Sequence, residues 1–267
     1  MLNDPGAYYN AITAALSADP SARNFMGITA ECLKKTYIMM HSALGTDASL
    51  EIGAHEAGFS LEMAKTYGNA ISICAVEASP KTHAYFQKNV NYKDFGISYI
   101  NAIVSDREEK TAFYEYVDEK REEAYMVSSL FEDIRNWKTK KIRVTVKSIL
   151  GDTLIENKFK NKKKIALWID VEGAQSEVLN SLSKSFSRGI INSVYIEVEK
   201  EKLWLEQKML DNDVIAFMNK QNFSQFLHDN EYYTQYNIIF VNNDIKGCDF
   251  SRFFDYYRML LEKAHAQ

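Results

Sequence analysis

Cysteine and proline are scarce in this chain, with three of each in 267 residues. So few prolines (Pro5, Pro20, Pro80) exclude extended proline-rich linkers. Cys32, Cys74 and Cys248 are odd in number and far apart, and no CxxC or Cys/His ligand spacing occurs. That argues against a disulfide framework, a structural zinc or a catalytic metal, and points to a reducing compartment. No apolar run approaches the ~18–20 residues of a membrane span. The opening MLNDPGAYYN lacks the basic segment and apolar core of a secretory signal, so a cytoplasmic protein is expected. Positive charge is not in excess either: 32 Lys and Arg stand against 36 Asp and Glu, a net charge of −4. Without a concentrated basic surface, a nucleic-acid backbone is not an expected partner. Lys138/Lys140/Lys141 and Lys162–Lys164 each precede an apolar run and read as solvated strand approaches.

What is present is ordinary globular material, 46% hydrophobic and 25% charged, long enough for one large domain with additions. Residues 1–45 read as helical, in AYYNAITAALS and ITAECLKKTYIMMHSAL, with breaks at Asp19-Pro20 and Gly45. This predicts an N-terminal helical extension, packed on the main domain and helping to shape a ligand site. From residue 48 short apolar runs alternate with helical patterns. Strands are expected at Ala48–Ile52, Ile71–Val76, Ile97–Val104, Thr111–Tyr116, Ile142–Val146, Ile165–Val171, Val194–Val198 and Tyr236–Val241. Helices are expected at Ser60–Tyr67, from Pro80 to Val90, at Ala174–Ser183 and at Asp211–Lys220. The alternation implies βαβ units and an α/β fold with a doubly wound, mostly parallel sheet over residues 46–245. Residues 246–267 close the chain with an aromatic amphipathic helix, FSRFFDYYRMLLEKA, expected to dock on the core or against a second copy in a homodimer.

In such a sheet ligands bind beyond the carboxyl ends of the strands, and here those exits are polar. The first strand leaves through LEIGAHEAGFS, where Gly53 and Gly58 permit a tight turn and the following helix N-terminus offers amide donors. The second leaves at Glu77, where a carboxylate can accept the hydroxyls of an adenosine ribose. A nicotinamide dinucleotide and S-adenosylmethionine both carry that group. GAHEAG lacks the G-x-G-x-x-G spacing of a pyrophosphate cradle, and Glu51 and Glu56 would repel a diphosphate but suit a cationic tail. Further on, Asp170-Val171-Glu172-Gly173 puts two carboxylates on one side if the strand continues through it. Side by side, they need a cation or a proton to trade. In YIEVE, Glu197 lies within an apolar run, whereas Glu199 reads as a solvated strand end. Ser128 and Ser129 read as pocket-wall hydroxyls, or as caps of a helix begun by EDIRNW. His41, His83 and His228 have no visible ligand partners and read as structural, and Trp168 reads as a core aromatic.

The blocks LEIGAHEAGFS, AVEASPKTHAYFQKNV, INAIVSD, SSL, LWIDVEGAQSEVL and YIEVE, in that order, resemble the FkbM-type methyltransferases, a branch of the Rossmann-like class I S-adenosylmethionine enzymes. The resemblance covers residues 48–200, with a fitting tail through FSQFLHDNEYYTQYNIIFVN. It implies S-adenosylmethionine as cofactor. Glu51, Gly53, Ala54, His55, Gly58, Phe59 and Ser60 would lie in the turn that takes its methionine part. Glu77 with Ala78 would lie at the ribose, Asn101 beside the base, and Asp170 at the amino-acid end. Glu51 stands where the family has Asp, Ala57 where glycine is usual, and Trp168 and Gln175 are departures. The implied reaction is O-methylation of a hydroxyl on a sugar, glycan precursor or other small metabolite, as in polysaccharide or secondary-metabolite modification. A hydroxyl must lose its proton as the bond forms, so a base is needed; Asp170, Glu172 and Glu197 are the candidates, with His55 as an alternative. Two readings compete: a nucleotide-cofactor oxidoreductase on a similar sheet, and a binding module without turnover.

Overall fold

A computed structural model describes residues 4–18, 26–118, 120, 123–135, 139–230 and 234–265. The expected break at Asp19-Pro20 and Lys138 of the first lysine cluster lie outside the described residues. The chain forms a seven-stranded sheet with helices on both faces. Its strands are β1 (Ala48–Ile52), β2 (Ser72–Glu77), β3 (Ile97–Asn101), β7 (Ile165–Ile169), β8 (Ile191–Glu199), β9 (Phe223–His228) and β10 (Gln235–Asn242), in the order β3-β2-β1-β7-β8-β10-β9. All are parallel except β10, which runs antiparallel to β8 and β9. Burial on both faces explains why β1, β8 and β10 are buried at every position.

One face is covered by α1 (Pro5–Ala18), α2 (Met26–Leu44), α3 (Gly58–Tyr67) and the C-terminal α9 (Ser251–His265). Leu33, Tyr37, Met40, Phe59, Phe253 and Tyr257 meet there in one core. The aromatic face of α9 is thus turned inward, with Tyr257 Oη donating to the His228 carbonyl at 3.0 Å. The other face is covered by α5 (Gly151–Lys158), α6 (Gln175–Ser181), α7 (Ser183–Ser187) and α8 (Asp211–Lys220) through Leu154, Val178, Phe186, Val214 and Met218. Helix α4 (Pro80–Asn89) follows β2; the Ser79 hydroxyl accepts from the Thr82 N–H at 3.0 Å and Pro80 occupies the first turn.

The expected strand Ile97–Val104 is two strands. After β3 the chain leaves the main sheet, and β4 (Ile103–Val104) pairs instead with β6 (Lys140–Ile149). β6 and β5 (Lys110–Val117) form an antiparallel pair, giving a small sheet of order β4-β6-β5. Ile103, Phe113 and Val146 make its core, with Ala78 and Leu130 packed against them, so this sheet roofs the carboxyl end of β2. Strand order reverses between β1 and β7, and there the connections diverge to leave a crevice.

Candidate active site

That crevice opens into a cavity lined from three sides. Gly53 and His55 come from the exit of β1, Glu77 and Ala78 from β2, and Asp170 and Glu172 from the turn after β7. Ala102, Ile103, Val104 and Phe113 supply apolar wall, and Tyr125, Met126, Ser128 and Leu130 close it from the β5–β6 connection.

The first turn is built by backbone conformation. Gly53 has φ +79°, and a Cβ there would lie 1.6 Å from the Asp170 carbonyl oxygen. Only glycine lets the two strand exits touch. His55 and Ala57 also adopt left-handed conformations, φ 45° and 58°. These are uncommon for residues with a Cβ and tolerated where the surroundings hold them. The amides expected to be free at the N-terminus of α3 are taken. Glu51 accepts from Phe59 N–H at 3.3 Å and from Ser60 N–H at 2.8 Å, capping the helix from within the sheet. The Phe59 and Ser60 amides are therefore not vacant for a phosphate, and Glu56 beside them is exposed.

Glu77 is held just as firmly. Its carboxylate accepts from His55 N–H at 2.7 Å and Ser79 N–H at 2.6 Å, and only 7% of the residue is exposed. Burial pushes its pKa up to about 7, against the pull of those two amides. Burial likewise pushes Glu51 up to about 7.

At the other end, one carboxylate oxygen from each of Asp170, Glu172 and Glu197 lies within 4.8 Å of the others. Their convergence does not come from strand alternation. β7 ends at Ile169, and Glu172 stands in a left-handed turn, φ 50°, ahead of Gly173. The turn is fixed by Ser129, whose hydroxyl donates to the Glu172 carbonyl at 2.5 Å. Burial, then the charges of Asp170 and Glu199, raise the pKa of Glu172 well above the usual carboxylate range; Arg135 opposes them. Glu199 is not solvated: it is fully buried and accepts from Gln175 Nε2 and Gln207 Nε2, each at 2.9 Å. Burial pushes its pKa up to about 8.

Of the residues expected to hold a cofactor, Gly53, His55, Glu77, Ala78 and Asp170 line the cavity. Glu51, Ala54, Gly58, Phe59, Ser60 and Asn101 do not. They shape it from behind: Phe59 stacks on Trp168 at 4.8 Å, and Asn101 Nδ2 bonds the carbonyls of Glu77 and Ala78 at 2.9 and 3.0 Å. Trp168 in turn lies flat on Tyr195, ring centres 3.7 Å apart. Of the expected bases, Glu172 lines the cavity beside Asp170, whereas Glu197 stands behind it, held by Gln235 Nε2 at 3.2 Å. Among the described residues, none of α1, α2 or α9 lines this cavity. Thr82 lines it without any sequence signal, and Phe113, Tyr125, Met126 and Leu130 come from the polar region between residues 107 and 140, while Arg135 lies outside the lining with its Nη2 4.0 Å from Glu172 Oε2. No helix starts at EDIRNW; its described part, Glu132–Arg135, is irregular, and residues 136 and 137 lie outside the described residues.

The lining chemistry discriminates between adenosine ligands. An apolar wall, one carboxylate at ribose distance from it and two more beyond suit a nucleoside with a cationic tail. Among the described residues the lining contains no Lys or Arg for a diphosphate.

A family model described as Methyltransferase FkbM domain matches residues 51–224. None of the curated proteins compared with the chain matches it. Among solved structures, the chain is similar to a SAM dependent methyltransferase from Aquifex aeolicus, with 12% identity over 89% of this chain and 97% of that chain and a TM-score of 0.42. It is also similar to the magnesium protoporphyrin IX methyltransferase of Synechocystis PCC 6803 solved with bound SAM, with 8% identity over 82% of each chain and a TM-score of 0.45. The bifunctional kinase-methyltransferase WbdD is a third, with 11% identity over 83% of this chain and 40% of that chain and a TM-score of 0.47.

Proposed function

The chain belongs to the FkbM methyltransferase family, whose cofactor is S-adenosylmethionine, and from that premise we propose that it methylates a hydroxyl of a sugar, glycan precursor or other small metabolite. The observation that carries the cofactor end is Glu77, a buried carboxylate in a cavity whose lining, among the described residues, holds carboxylates and apolar groups but no Lys or Arg. In this reading Glu77 accepts the ribose hydroxyls, the apolar wall at Ala102–Val104 takes the base, and Gly53 with Asp170 takes the amino-acid tail.

When bound, S-adenosylmethionine supplies a methyl group already activated as a sulfonium. What remains for the protein is alignment in a dry pocket and removal of one proton. Glu77, Gly53 and Asp170 would hold that group, and this chain's own part would be to align the acceptor hydroxyl and take its O–H proton onto a carboxylate. Glu172 is the base in this scheme, because it lines the cavity and its hydrogen-bonded turn fixes its direction. Asp170 and Glu197 lie beside it, and the charges of Asp170 and Glu199 oppose its own. Burial raises the pKa of Glu172 above the usual carboxylate range, which makes it a stronger base than an exposed carboxylate. His55 spends its backbone on Glu77 and on Tyr99, whose Oη donates to the His55 carbonyl, and belongs to the cofactor turn. The solvent-exposed side of Met126 and Ser128, outward of Glu172, is where the acceptor enters.

The test is a screen of sugars, nucleotide sugars and glycan precursors with methyl-labelled cofactor. Label retained on an acceptor oxygen supports the assignment. Label found only on acceptor nitrogens would replace it with N-methylation.

A further inference from the structure

The connection between β5 and β6 brings a cation to the carboxylates at the end of β7. Arg135 Nε donates to both oxygens of Asp133 at 3.0 Å, Nη2 donates to Oδ2 at 2.6 Å, and the Arg135 N–H bonds the same carboxylate at 2.7 Å. The guanidinium lies over the Trp204 ring, 4.8 Å from its centre. Trp204 is wholly buried and presses on Gly173, where a Cβ would come within 2.6 Å of the ring. Asp133 and Trp204 are themselves an antiparallel bridge, with Ile134 N–H on Leu203 O at 3.0 Å and Leu205 N–H on Glu132 O at 2.8 Å. The fork is thus pinned by an ion pair, an aromatic face and the backbone. Pinned there, Nη2 stands 4.0 Å from Glu172 Oε2, and Nη1 reaches Gln235 Oε1 at 3.4 Å, whose amide holds Glu197.

We propose that Arg135 is a positioning residue for methyl transfer, supplying the counter-charge that lets Glu172 stand as a carboxylate and take the acceptor's proton. The inference rests on the methyltransferase reading above. Among the described residues, the charged groups facing Glu172 are Asp170 after β7, Glu197 and Glu199 on β8, and Asp133 and Arg135 from the β5–β6 connection. All are acids except Arg135. An opposite charge at this distance lowers a carboxyl pKa by about 1–3 pH units, so Arg135 favours the charged form of Glu172 against the acids around it. Arginine suits the place because its planar fork can hold Asp133 in two-point contact while its face stacks on Trp204.

The test is a carbon NMR titration of protein labelled at the glutamate carboxyl carbons, with the Glu172 signal assigned by its loss in Glu172→Gln. Arg135→Gln raises the Glu172 midpoint by one pH unit or more. Arg135→Met, which keeps the stem on Trp204, does the same, so either variant that folds decides the matter. Arg135→Lys restores at least half of the difference. The remaining glutamate signals and calorimetric binding of S-adenosylhomocysteine report on folding. A Glu172 midpoint unmoved in a folded, uncharged variant overturns the proposal, as does an equal displacement by Lys and Met. If S-adenosylhomocysteine fails to bind the unmodified protein, the methyltransferase reading fails, while the midpoints still report on Arg135.

Discussion

Replacing Gly53 by alanine tests the close approach of the β1 exit to the turn after β7. The added Cβ would sit 1.6 Å from the Asp170 carbonyl oxygen and 2.7 Å from its carbon. To reach the 3.0 Å that real Cβ contacts tolerate, the carbonyl must retreat by about 1.4 Å. It cannot retreat freely, because Asp170 N–H is bonded to Ile52 O at 3.0 Å and β1 pairs with β7 along its whole length. The backbone at φ +79° adds strain of about 1–2 kcal/mol for a residue with a Cβ. With the displaced ladder, the total comes to about 3–5 kcal/mol. In a domain of this size that lowers the unfolding midpoint by roughly 6–15 °C. A shift of about 1 Å at Asp170 also costs roughly a hundredfold in turnover. Gly58 is the control: its φ is not positive, and its nearest neighbour would be Glu56 Oε1 at 3.5 Å. Gly58→Ala therefore leaves stability unchanged or raises it by about 0.5–1 kcal/mol. Thermal unfolding and calorimetry with S-adenosylhomocysteine read both variants. A Gly53→Ala protein that melts and binds like the original refutes the reasoning, as does a Gly58→Ala protein damaged to the same degree.

The remaining predictions concern charge. Glu77→Ala weakens S-adenosylhomocysteine about a hundredfold in calorimetry, from two charge-assisted hydrogen bonds of roughly 1.5 kcal/mol each; unchanged affinity removes the ribose from Glu77. Asp170→Asn combined with Glu172→Gln lowers turnover by about 10²–10⁴ while the fold persists, and full activity would place the base elsewhere. Stability of the ligand-free protein falls between pH 6.5 and 8 in urea unfolding. Glu51 and Glu77, raised to about 7, and Glu199, raised to about 8, keep protons in the folded state that the unfolded chain has released. His41 works oppositely: burial pushes it down to about 3, so its contribution grows as pH rises toward 6.5 and is constant above. A stability that rises from pH 6.5 to 8 contradicts this assignment.

The doubly wound sheet was legible because its strands are buried on both faces and separated by periodic helices. β9 escaped because FSQFLH mixes polar residues at half-buried positions with no alternation. The split of Ile97–Val104 escaped because INAIV reads as one run with Asn101 its single polar residue, and only the partner strand β6 decides where β4 pairs. At the site, Glu77 and Asp170 were readable as polar residues ending apolar strands. Glu199 misled because a strand-end carboxylate looks solvated unless Gln175 and Gln207 are known to lie against it. Glu172 reached the site by a left-handed turn and not by strand alternation. Glu51, read as a ligand for the cofactor, caps α3, a role that depends on the return of the chain at Phe59 and Ser60. Arg135 lies in irregular chain, where no periodicity signals that Asp133 and Trp204 aim it at Glu172.

The central claim is that the crevice between β1 and β7 binds S-adenosylmethionine through Glu77. A crystal structure with S-adenosylhomocysteine tests it directly. The account predicts both ribose hydroxyls on the Glu77 carboxylate, the base against Ala102–Val104, and the amino-acid tail beside Gly53 and Asp170. A ligand whose ribose is held elsewhere, with Glu77 bonded only to His55 and Ser79, would contradict it.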